Sequence, residues 1–427
     1  MKGWMRAAVG VAAAATLVAG CAGSGGDASS QPEGGSKTLT VWLMNGSLPD
    51  ALATELHTEF EKAHGVKINY EVQQWTGIQE KLTTALAGDS PPDVIELGNT
   101  QTPQFASQGV LADLSGSAND LRSAEWLGGL KESGAYEGKQ YALPFYAANR
   151  EVIYRKDMFE QAGITAVPKS RQEWLDAITK LEAKFGSDPE FQSLYLPGQN
   201  WYTYLSFLWD EGGDIATPAG NGFQGAVDSP QSKAAIEFYK KLVETSGTTA
   251  PKDADEQKPE QAGVYAQNKV AMFVGLPWEV ATAAKSNAEI KGKTGAFPIP
   301  SKNAGQNAPV FLGGSNLAIP ATGKNQNLSL EYLKLISSAK YQGKLAEAGM
   351  VPGTSKDTAA LEKDPISKAM AEASKNGRAV PASPKWAAIE TGQNPLKDML
   401  TAVLTGAKSI DAATADASKA LTTALSG

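Results

Sequence analysis

Short apolar runs and amphipathic stretches alternate along the chain from residue 37 onward. They predict three strands and two helices in alternation, at residues 38–43, 49–64, 66–73, 77–87 and 93–97. In the first of these helices Leu52, Leu56 and Phe60 recur four residues apart, so one face is apolar and the rest is polar or charged. Short connections between such elements predict a mostly parallel α/β sheet with helices on both faces and ligands at the carboxyl ends of its strands.

A second region repeats this alternation of strands and helices. We predict that the two regions form separate lobes, with the boundary near Tyr146. Extended segments are predicted at residues 140–144, 151–154 and 270–274, and helices at residues 156–162, 171–185, 200–211, 231–244 and 258–268. The extended segment at residues 310–320 predicts a return of the chain to the first lobe. The remainder, residues 325–427, is predicted to be mainly helical.

The amino terminus has the pattern of a secretory signal. Lys2 and Arg6 precede an almost unbroken apolar run at residues 7–19, and small residues follow it. The run is too short to span a membrane comfortably. We therefore predict a signal peptide at residues 1–20, whose removal would leave 407 residues, enough for two or three domains with their own cores.

Residues 17–21 read Leu-Val-Ala-Gly-Cys and resemble the bacterial lipobox, whose cysteine is lipidated. This predicts a lipid anchor on Cys21. The alternative is a buried apolar element with an incidental thiol, which we disfavour because Cys21 is the only cysteine in the chain. Residues 21–36 are rich in Gly and Ser and too poor in apolar side chains to bury anything, so they predict a flexible tether.

Charge and composition narrow the classes of partner. Loss of Lys2 and Arg6 with the signal takes the formal charge from -7 to about -9, and no basic cluster interrupts the acidic balance. Nucleic acid is therefore excluded as a partner. A single cysteine also excludes an internal disulfide framework.

Motifs for catalysis are sparse, and none predicts a metal ion, a cofactor or a catalytic residue. The two histidines, His57 and His64, lie seven residues apart without a carboxylate-rich metal motif and are predicted to be ordinary surface residues. There is no H-E-x-x-H, no G-x-S-x-G and no P-loop. Residues 220–225 match G-x-G-x-x-G but lack a preceding strand and a following helix, so we predict a loop there. A glycosidase needs only two carboxylates about 5 to 10 Å apart, which leaves a secreted glycan hydrolase open.

Many aromatic residues stand beside turn or polar residues instead of inside an apolar periodicity: Trp42, Trp75, Tyr146, Trp201, Tyr202, Tyr204, Trp278 and Trp386. Such placement favours exposed or cleft positions. A pyranose ring stacks its C–H faces on indole or phenol rings, while its hydroxyls need donors and acceptors such as Asn, Asp, Glu and Ser. Each aromatic alone is equally compatible with a core, but Trp75, Trp278 and Trp386 together predict stacking platforms for a sugar.

A series of segments, in order and spacing, resembles the carbohydrate-binding extracellular proteins of bacterial ABC importers, the class that includes maltodextrin-binding proteins. The segments are residues 39–42, 90–96, 109–114, 141–145, 152–159, 162–164, 275–279 and 313–319. The resemblance implies an α/β, two-lobed, periplasmic-binding-protein-like fold with crossing strands at a hinge and a ligand in the interlobe cleft. We predict lobe one at residues 37–146 with 310–350, and lobe two at residues 147–309 with 351–427.

Carried over position by position, the resemblance places residues of both lobes in the ligand cleft: Trp42, Asn45, Trp75, Asn99, Thr100, Tyr146, Asn149, Trp201, Trp278, Glu279, Gly314, Ser315 and Trp386. Gly313 and Gly314 would lie at a crossing, where missing side chains let a sugar approach backbone amides. Glu96 and Asp113 fit caps or surface charges equally well, so they are left out of the predicted site.

The resemblance also implies passive capture of an oligosaccharide by a monomer that is lipid-anchored to the outer face of the cell membrane. Its partners would be membrane permease subunits with a cytoplasmic ATPase. Residues 96–100, Glu-Leu-Gly-Asn-Thr, are similar to a run in actinobacterial chitobiose-type binding proteins, although maltodextrins, trehalose and cello- or xylo-oligosaccharides stay open. A peptide or anion receptor is a further alternative; few candidate cleft arginines exist beyond Arg150, Arg155 and Arg378, which disfavours an anion.

Overall fold

The computed structural model describes residues 38–426. The predicted signal peptide, Cys21 and the predicted tether lie outside the described residues, so these features stay predictions. Within residues 38–426 the strands are β1 (Thr38–Met44), β2 (Lys67–Gln73), β3 (Val94–Gly98), β4 (Ala135–Tyr136), β5 (Lys139–Gln140), β6 (Ala142–Ala148), β7 (Glu151–Arg155), β8 (Ala216–Ala219), β9 (Gly222–Gly225), β10 (Met272–Gly275), β11 (Thr294–Phe297), β12 (Val310–Phe311), β13 (Gly313–Ala318), β14 (Val351–Pro352) and β15 (Gly377–Arg378).

The α-helices of the same part of the chain are α1 (Asp50–His64), α2 (Ile78–Ala87), α3 (Thr102–Ser107), α4 (Gly128–Ser133), α5 (Lys156–Gln161), α6 (Arg171–Phe185), α7 (Trp201–Asp210), α8 (Pro230–Thr245), α9 (Gln261–Tyr265), α10 (Pro277–Ser286), α11 (Gln326–Ile336), α12 (Ala339–Glu347), α13 (Pro365–Ser374), α14 (Trp386–Thr391), α15 (Pro395–Leu404) and α16 (Ile410–Leu425). Short 3₁₀ helices lie at Ser115–Ser117, Ser123–Glu125, Ala288–Ile290 and Ala359–Lys363. No helix in this described part is both long enough and apolar enough to cross a membrane.

The larger sheet has the strand order β14, β6, β13, β3, β1, β2 within the described residues. β1 pairs in parallel with β2 and with β3, because α1 and α2 bring the chain back in the same direction. β13 runs antiparallel to β3 and β6, and β14 runs antiparallel to β6. The prediction of a mostly parallel sheet is wrong for β6, β13 and β14, which pair antiparallel. β13 enters this sheet directly after β12, without the crossover helix that a parallel pair needs.

Helix α1 shows how the sequence pattern builds this part of the molecule. Leu52, Leu56 and Phe60 are buried on its apolar face, as their spacing predicts. The helix ends at Gly65, whose left-handed φ of 66° lets its N–H donate to the carbonyl oxygen of Glu61. The face of α1 packs in one hydrophobic core with the residues of β1.

The smaller sheet places β7 between β10 and β11, antiparallel to both. Val152 on β7 lies opposite Val274 on one side and Phe297 on the other. These residues belong to a second large core, separate from the core around α1. We call the part built on the larger sheet the first lobe and the part built on the smaller sheet the second lobe. The two-lobed α/β architecture predicted from the sequence is confirmed; the numbered lobe boundaries stay a prediction.

The chain crosses between the lobes where β6 ends at Ala148 and β7 begins at Glu151, and again between β12 and β13. Gly313 pairs with Ala148, so the two crossings lie side by side. Gly314 has a φ of +123°, and a Cβ there would lie 2.1 Å from the carbonyl oxygen of Tyr146. Only glycine fits this close approach of two backbones. Crossing strands between the lobes are thus confirmed.

Two predicted elements differ from the structure. The G-x-G-x-x-G match was expected to be a loop, but β8 and β9 form a hairpin there, with Ala219 opposite Gly222. Gly220 has a φ of 57°, which suits the tight turn between these strands. The helix expected at residues 258–268 is shortened to α9, Gln261–Tyr265, because Pro259 supplies no backbone N–H and residues 257 and 260 pair instead.

Candidate functional site

A cavity of about 1170 Å³ opens between the two lobes. The first lobe contributes the chain segments that follow β1, β2 and β3, which meet at one edge of the sheet because these strands are parallel. The first wall of the cavity, as we call this side, includes Asn45, Gly46, Trp75, Gly98, Asn99, Thr100, Gln101, Tyr146, Gly313 and Gly314. The second wall faces it and includes Arg150, Tyr202, Pro277, Trp278, Ala281, Ala387, Glu390 and Thr391.

The structure brings seven of the thirteen predicted ligand residues to the cavity surface: Asn45, Trp75, Asn99, Thr100, Tyr146, Trp278 and Gly314. It keeps six away from that surface: Trp42, Asn149, Trp201, Glu279, Ser315 and Trp386. The residues at the surface come mainly from the ends of strands, where the sequence pattern was regular. The others lie behind the walls.

Trp75 and Trp278 are the two tryptophans that offer free ring surface to the cavity. Their exposures are 41% and 54%, and with Val72 they make up the exposed large hydrophobic side chains found in residues 38–426. Trp75 follows β2 in the first wall, whereas Trp278 is the second residue of α10 in the second wall. An indole ring left exposed at the mouth of a cavity is suited to stacking on a flat apolar ligand face.

Trp386 and Trp201 are core residues, which corrects the prediction that both contact a ligand. Trp386 is fully buried and Trp201 is 1% exposed, and their ring centroids lie 6.1 Å apart. Both side chains pack in the core of the second lobe instead of lining the cavity. In α14 the residues that line the cavity are Ala387, Glu390 and Thr391, and Glu390 lies one turn after Trp386, nearer the end of the helix.

Trp42 and Glu279 support the walls from behind. Trp42 packs beside the core of the first lobe, with the ammonium group of Lys81 4.7 Å from its ring centroid. Glu279 accepts hydrogen bonds from the N–H of Leu276 at 2.7 Å and from Nε2 of Gln261 at 2.9 Å. It caps the start of α10 and so fixes the backbone that carries Trp278.

Asn149 and Ser315 are fully buried at the crossings, which removes both from the cavity surface. Neither amide atom of Asn149 has a hydrogen-bonding partner. Ser315 lies on β13, directly between Tyr146 on β6 and Gly98 on β3. Both residues were predicted to contact the ligand, but the structure places them inside the crossing strands.

A charged network forms part of the second wall. The guanidinium of Arg150 lies 3.8 Å from the ring centroid of Tyr202 and forms an ion pair with Glu256, and both charged side chains are largely buried. The hydroxyl of Tyr202 donates to Oε1 of Glu390 at 2.6 Å. Burial raises the pKa of Tyr202 well above its usual value, so the phenol keeps its proton and Glu390 is held as an acceptor.

The first wall is supported by a buried acid, Glu96, which the sequence left out of the site. Its side chain is fully buried on β3, so it is neither a cap nor a surface charge. Oε2 accepts from the N–H of Met44 at 2.7 Å, and Oε1 accepts from the hydroxyl of Ser47 at 2.7 Å. Asp113 is a surface charge, which accepts from the N–H of Ser115 at 2.9 Å and pairs with Lys139 at 3.2 Å.

The predicted site left out several cavity residues, namely Asp364, Met350, Glu390 and also Tyr202, although the aromatic pattern favoured a cleft position for Tyr202. A signal for Tyr202 exists, because Asn200 caps α7 by accepting from the N–H of Thr203 and so fixes which helix positions face inward. Of the three candidate arginines, Arg150 lines the cavity. Arg155 and Arg378 instead pair with Asp157 and Asp214, at 2.7 and 2.9 Å.

The histidines form no metal site. Nε2 of His57 lies 3.0 Å from the hydroxyl of Tyr332, and burial lowers the pKa of His57 to about 4. His57 is therefore half-buried and neutral, which corrects the prediction of a surface residue. His64 is exposed and stacks on Phe60. Within residues 38–426 no group of three His, Cys, Asp or Glu side chains could hold a metal ion.

Comparisons with known proteins agree with this architecture. The sequence model of the bacterial extracellular solute-binding proteins matches residues 45–343. The diacetylchitobiose-binding protein DasA of Streptomyces coelicolor is 40% identical over 417 residues, covering 97% of this chain and 96% of that protein.

Two solved structures are also similar. The GacH receptor of Streptomyces glaucescens, solved unliganded and with acarbose, has a TM-score of 0.73 at 27% identity, covering 91% of this chain and 98% of that chain. The sugar-binding protein MalE of Xanthomonas citri has a TM-score of 0.77 at 23% identity, over 91% of this chain and 97% of that chain, a likeness that shows the fold alone. With a family match across most of its length and a relative 40% identical almost end to end, the chain belongs to the bacterial extracellular solute-binding proteins, as its sequence resemblance predicted.

Proposed function

We propose that this protein is the substrate-binding component of an ABC-type carbohydrate importer. It captures an oligosaccharide between its lobes and delivers it to membrane permease subunits served by a cytoplasmic ATPase. The observation that carries the proposal is the pair of exposed indoles, Trp75 and Trp278, which line one cavity from opposite walls. Two flat apolar surfaces that face one cavity suit the two C–H faces of sugar rings.

The proposed ligand class is a chitobiose-type oligosaccharide. The relative with 40% identity is named for diacetylchitobiose binding, which supports this choice. An N-acetylated sugar needs acceptors for N–H and O–H groups, and Glu390 and Asn99 supply carboxylate and amide oxygens in the cavity lining. Its acetyl methyl groups need apolar contacts, for which Ala147, Ala148 and Ala387 are available.

The proposal extends to the part of the chain before residue 38. A signal peptide at residues 1–20, a lipid on Cys21 and a tether at residues 21–36 would hold the receptor on the outer face of the cell membrane, near its permease. One acyl chain binds a membrane only marginally, whereas two or three chains hold a protein there stably. We further propose that the protein works as a monomer, with lobe one at residues 37–146 and 310–350 and lobe two at residues 147–309 and 351–427.

Isothermal titration calorimetry on the full-length protein in mild detergent tests the ligand class. The panel contains N,N'-diacetylchitobiose, maltose, cellobiose and trehalose. We expect saturable heat with N,N'-diacetylchitobiose and weaker or no heat with the others. Saturable heat with another sugar alone would keep the receptor function and replace the ligand, whereas no heat with any oligosaccharide in a wider panel would contradict sugar capture.

Capture without turnover separates this function from a glycan hydrolase. The protein is incubated with N,N'-diacetylchitobiose for a day, and the sugar is then recovered and quantified by chromatography. We expect the disaccharide to be recovered intact. Release of N-acetylglucosamine by wild-type protein would overturn the proposed role.

A further inference from the structure

A corner of the first wall is held at both ends by one buried carboxylate. Residues 44–47 turn away from the end of β1, with Asn45 and Gly46 exposed to the cavity and Met44 and Ser47 buried. Glu96 accepts from the N–H of Met44 through Oε2 and from the hydroxyl of Ser47 through Oε1, each at 2.7 Å. The tip that lines the cavity is therefore fixed by two bonds to the same side chain.

The same carboxylate reaches a second part of the wall through Ser47. The hydroxyl oxygens of Ser47 and Tyr146 lie 3.1 Å apart, and Tyr146 lines the cavity. Glu96 itself is not part of the cavity surface. Glu96 is thus linked to the cavity residues that follow β1 and to Tyr146 on β6 without lining the cavity itself.

In the part of the chain that the structure describes, no cation is among the groups that act on Glu96. The titratable groups that face it are Tyr70 on β2, Tyr146 on β6 and Tyr332 on α11, and the flanking strands β1 and β13 carry no titratable side chain. Burial raises the pKa of all three phenols, to about 12 for Tyr70, so they are neutral near pH 7. Burial also raises the pKa of Glu96 to about 7, although the hydrogen bonds from Met44 and Ser47 oppose this.

We propose that Glu96 is a positioning residue whose ionised form sets Asn45, Gly46 and Tyr146 in the orientation that binds the ligand. An ionised carboxylate only accepts hydrogen bonds, whereas a protonated one also carries an O–H group that donates. Protonation turns one oxygen into a donor, so the Ser47 hydroxyl has to reverse its role and its link to Tyr146 changes. This inference rests on the proposed function, because it concerns the affinity of that same cavity for its sugar.

The variant Glu96→Gln tests this idea, because its amide has one acceptor and one donor group and imitates the protonated acid at every pH. Affinity for N,N'-diacetylchitobiose is measured by calorimetry from pH 5.5 to 8.5 on the full-length protein. We expect the wild-type affinity to rise about tenfold across pH 7, since bonds to a charged acceptor are about twice as strong as neutral ones. The variant should show a constant affinity, equal to that of the wild type at low pH. Parallel pH profiles of the two proteins would overturn the proposal.

Asp93 provides the matched control. It lies just before β3 and accepts from the N–H of Thr40 at 2.7 Å, so it holds β1 at the end far from the cavity as Glu96 holds the near end. Asp93→Asn should keep the rise in affinity with pH. Loss of that rise in Asp93→Asn would mean that any buried acid on this strand pair has the same effect, which contradicts a specific positioning role.

Thermal unfolding without ligand separates failure of this inference from failure of the proposed function. A buried acid whose pKa is raised binds its proton more tightly in the folded chain, so wild-type stability should fall relative to Glu96→Gln as pH rises from about 4.5 to about 7. Stability and affinity should therefore change with pH in opposite directions. If the disaccharide does not bind at any pH, the ligand assignment is wrong, and the unfolding curves alone test the inference about Glu96. A stability difference between the wild type and Glu96→Gln that does not vary with pH would then overturn the titration of Glu96.

Discussion

The two walls of the cavity hold their ligand-facing residues by different physical means. In the first wall, the buried acid Glu96 receives hydrogen bonds from a backbone N–H and a hydroxyl, both neutral donors. In the second wall, the buried acid Glu256 lies against the guanidinium of Arg150, which keeps its charge at any pH a protein meets. The two acids are similarly buried, but only one of them has a permanent opposite charge.

Because of this difference, we expect different changes to disturb the two walls. A buried acid without a cation can lose its charge near neutral pH, so the first wall responds to protonation. A buried ion pair is sensitive to the removal of either partner because the other charge stays uncompensated. We therefore expect a change of pH to alter the first wall. Truncation of a charged side chain should have its strongest effect in the second wall.

The largest expected effect follows from Arg150→Ala. The change leaves Glu256 buried without its cation and removes the group stacked on Tyr202. Breaking one partner of a buried ion pair typically costs about 3 to 5 kcal/mol. We expect the free energy of unfolding, measured by urea titration at pH 7.5, to fall by about that amount.

Two companion variants sharpen the comparison. Arg378→Ala breaks an ion pair with Asp214 in which both side chains are about two-fifths exposed, and it should cost at most about 1 kcal/mol. Adding Glu256→Gln to Arg150→Ala removes the stranded charge and should restore part of the stability. Equal losses in Arg150→Ala and Arg378→Ala would show that the second wall gains nothing special from its buried pair.

Trp278→Ala is expected to act on affinity and hardly on stability. The indole is more than half exposed, so its removal leaves little buried area uncovered. Loss of a stacking platform should weaken binding of N,N'-diacetylchitobiose about tenfold in calorimetry. The same change at Val72, which is also exposed but does not line the cavity, should leave binding unaltered. If Trp278→Ala binds as tightly as the wild type, the sugar does not stack on the second wall.

The sequence predicted the positions of helices and strands better than it predicted which of their side chains face the cavity. Helix α1 was clear because Leu52, Leu56 and Phe60 repeat with the helical period, and the strand ends around Asn45 and Asn99 follow from the βαβ order. The antiparallel half of the larger sheet was missed because the direction of β13 depends on a crossing from the other lobe. Trp386 was assigned to the site since nearby prolines imitate an exposed turn, and only the packed structure shows which side of α14 faces inward.

Glu96 shows a second limit of prediction from the sequence alone. A glutamate within a strand is usually read as a surface charge, and its burial becomes visible only when β1 and β13 are placed on either side of β3. The hydrogen bonds that make burial tolerable come from residues about fifty positions away along the chain. The local pattern of apolar and polar residues does not reveal partners so distant along the chain.

The smallest expected effect concerns the hydrogen bond between Tyr202 and Glu390. Tyr202→Phe keeps the ring that stacks under Arg150 but removes the hydroxyl that donates to Glu390 at 2.6 Å. Glu390 then loses its fixed orientation at the cavity surface. We expect affinity for N,N'-diacetylchitobiose to fall about threefold to tenfold, with a loss of about 1 kcal/mol in the free energy of unfolding.

Tyr204→Phe separates these two effects, because Tyr204 lies in the same helix and its hydroxyl is paired with Ser232, away from the cavity. Both variants remove one buried hydroxyl and should lose similar stability. Only Tyr202→Phe should also lose affinity, because only its hydroxyl orients a cavity acceptor. Equal affinity in the two variants would mean that Glu390 does not contact the sugar, and the second wall would then contribute its stacked indole without its charged network.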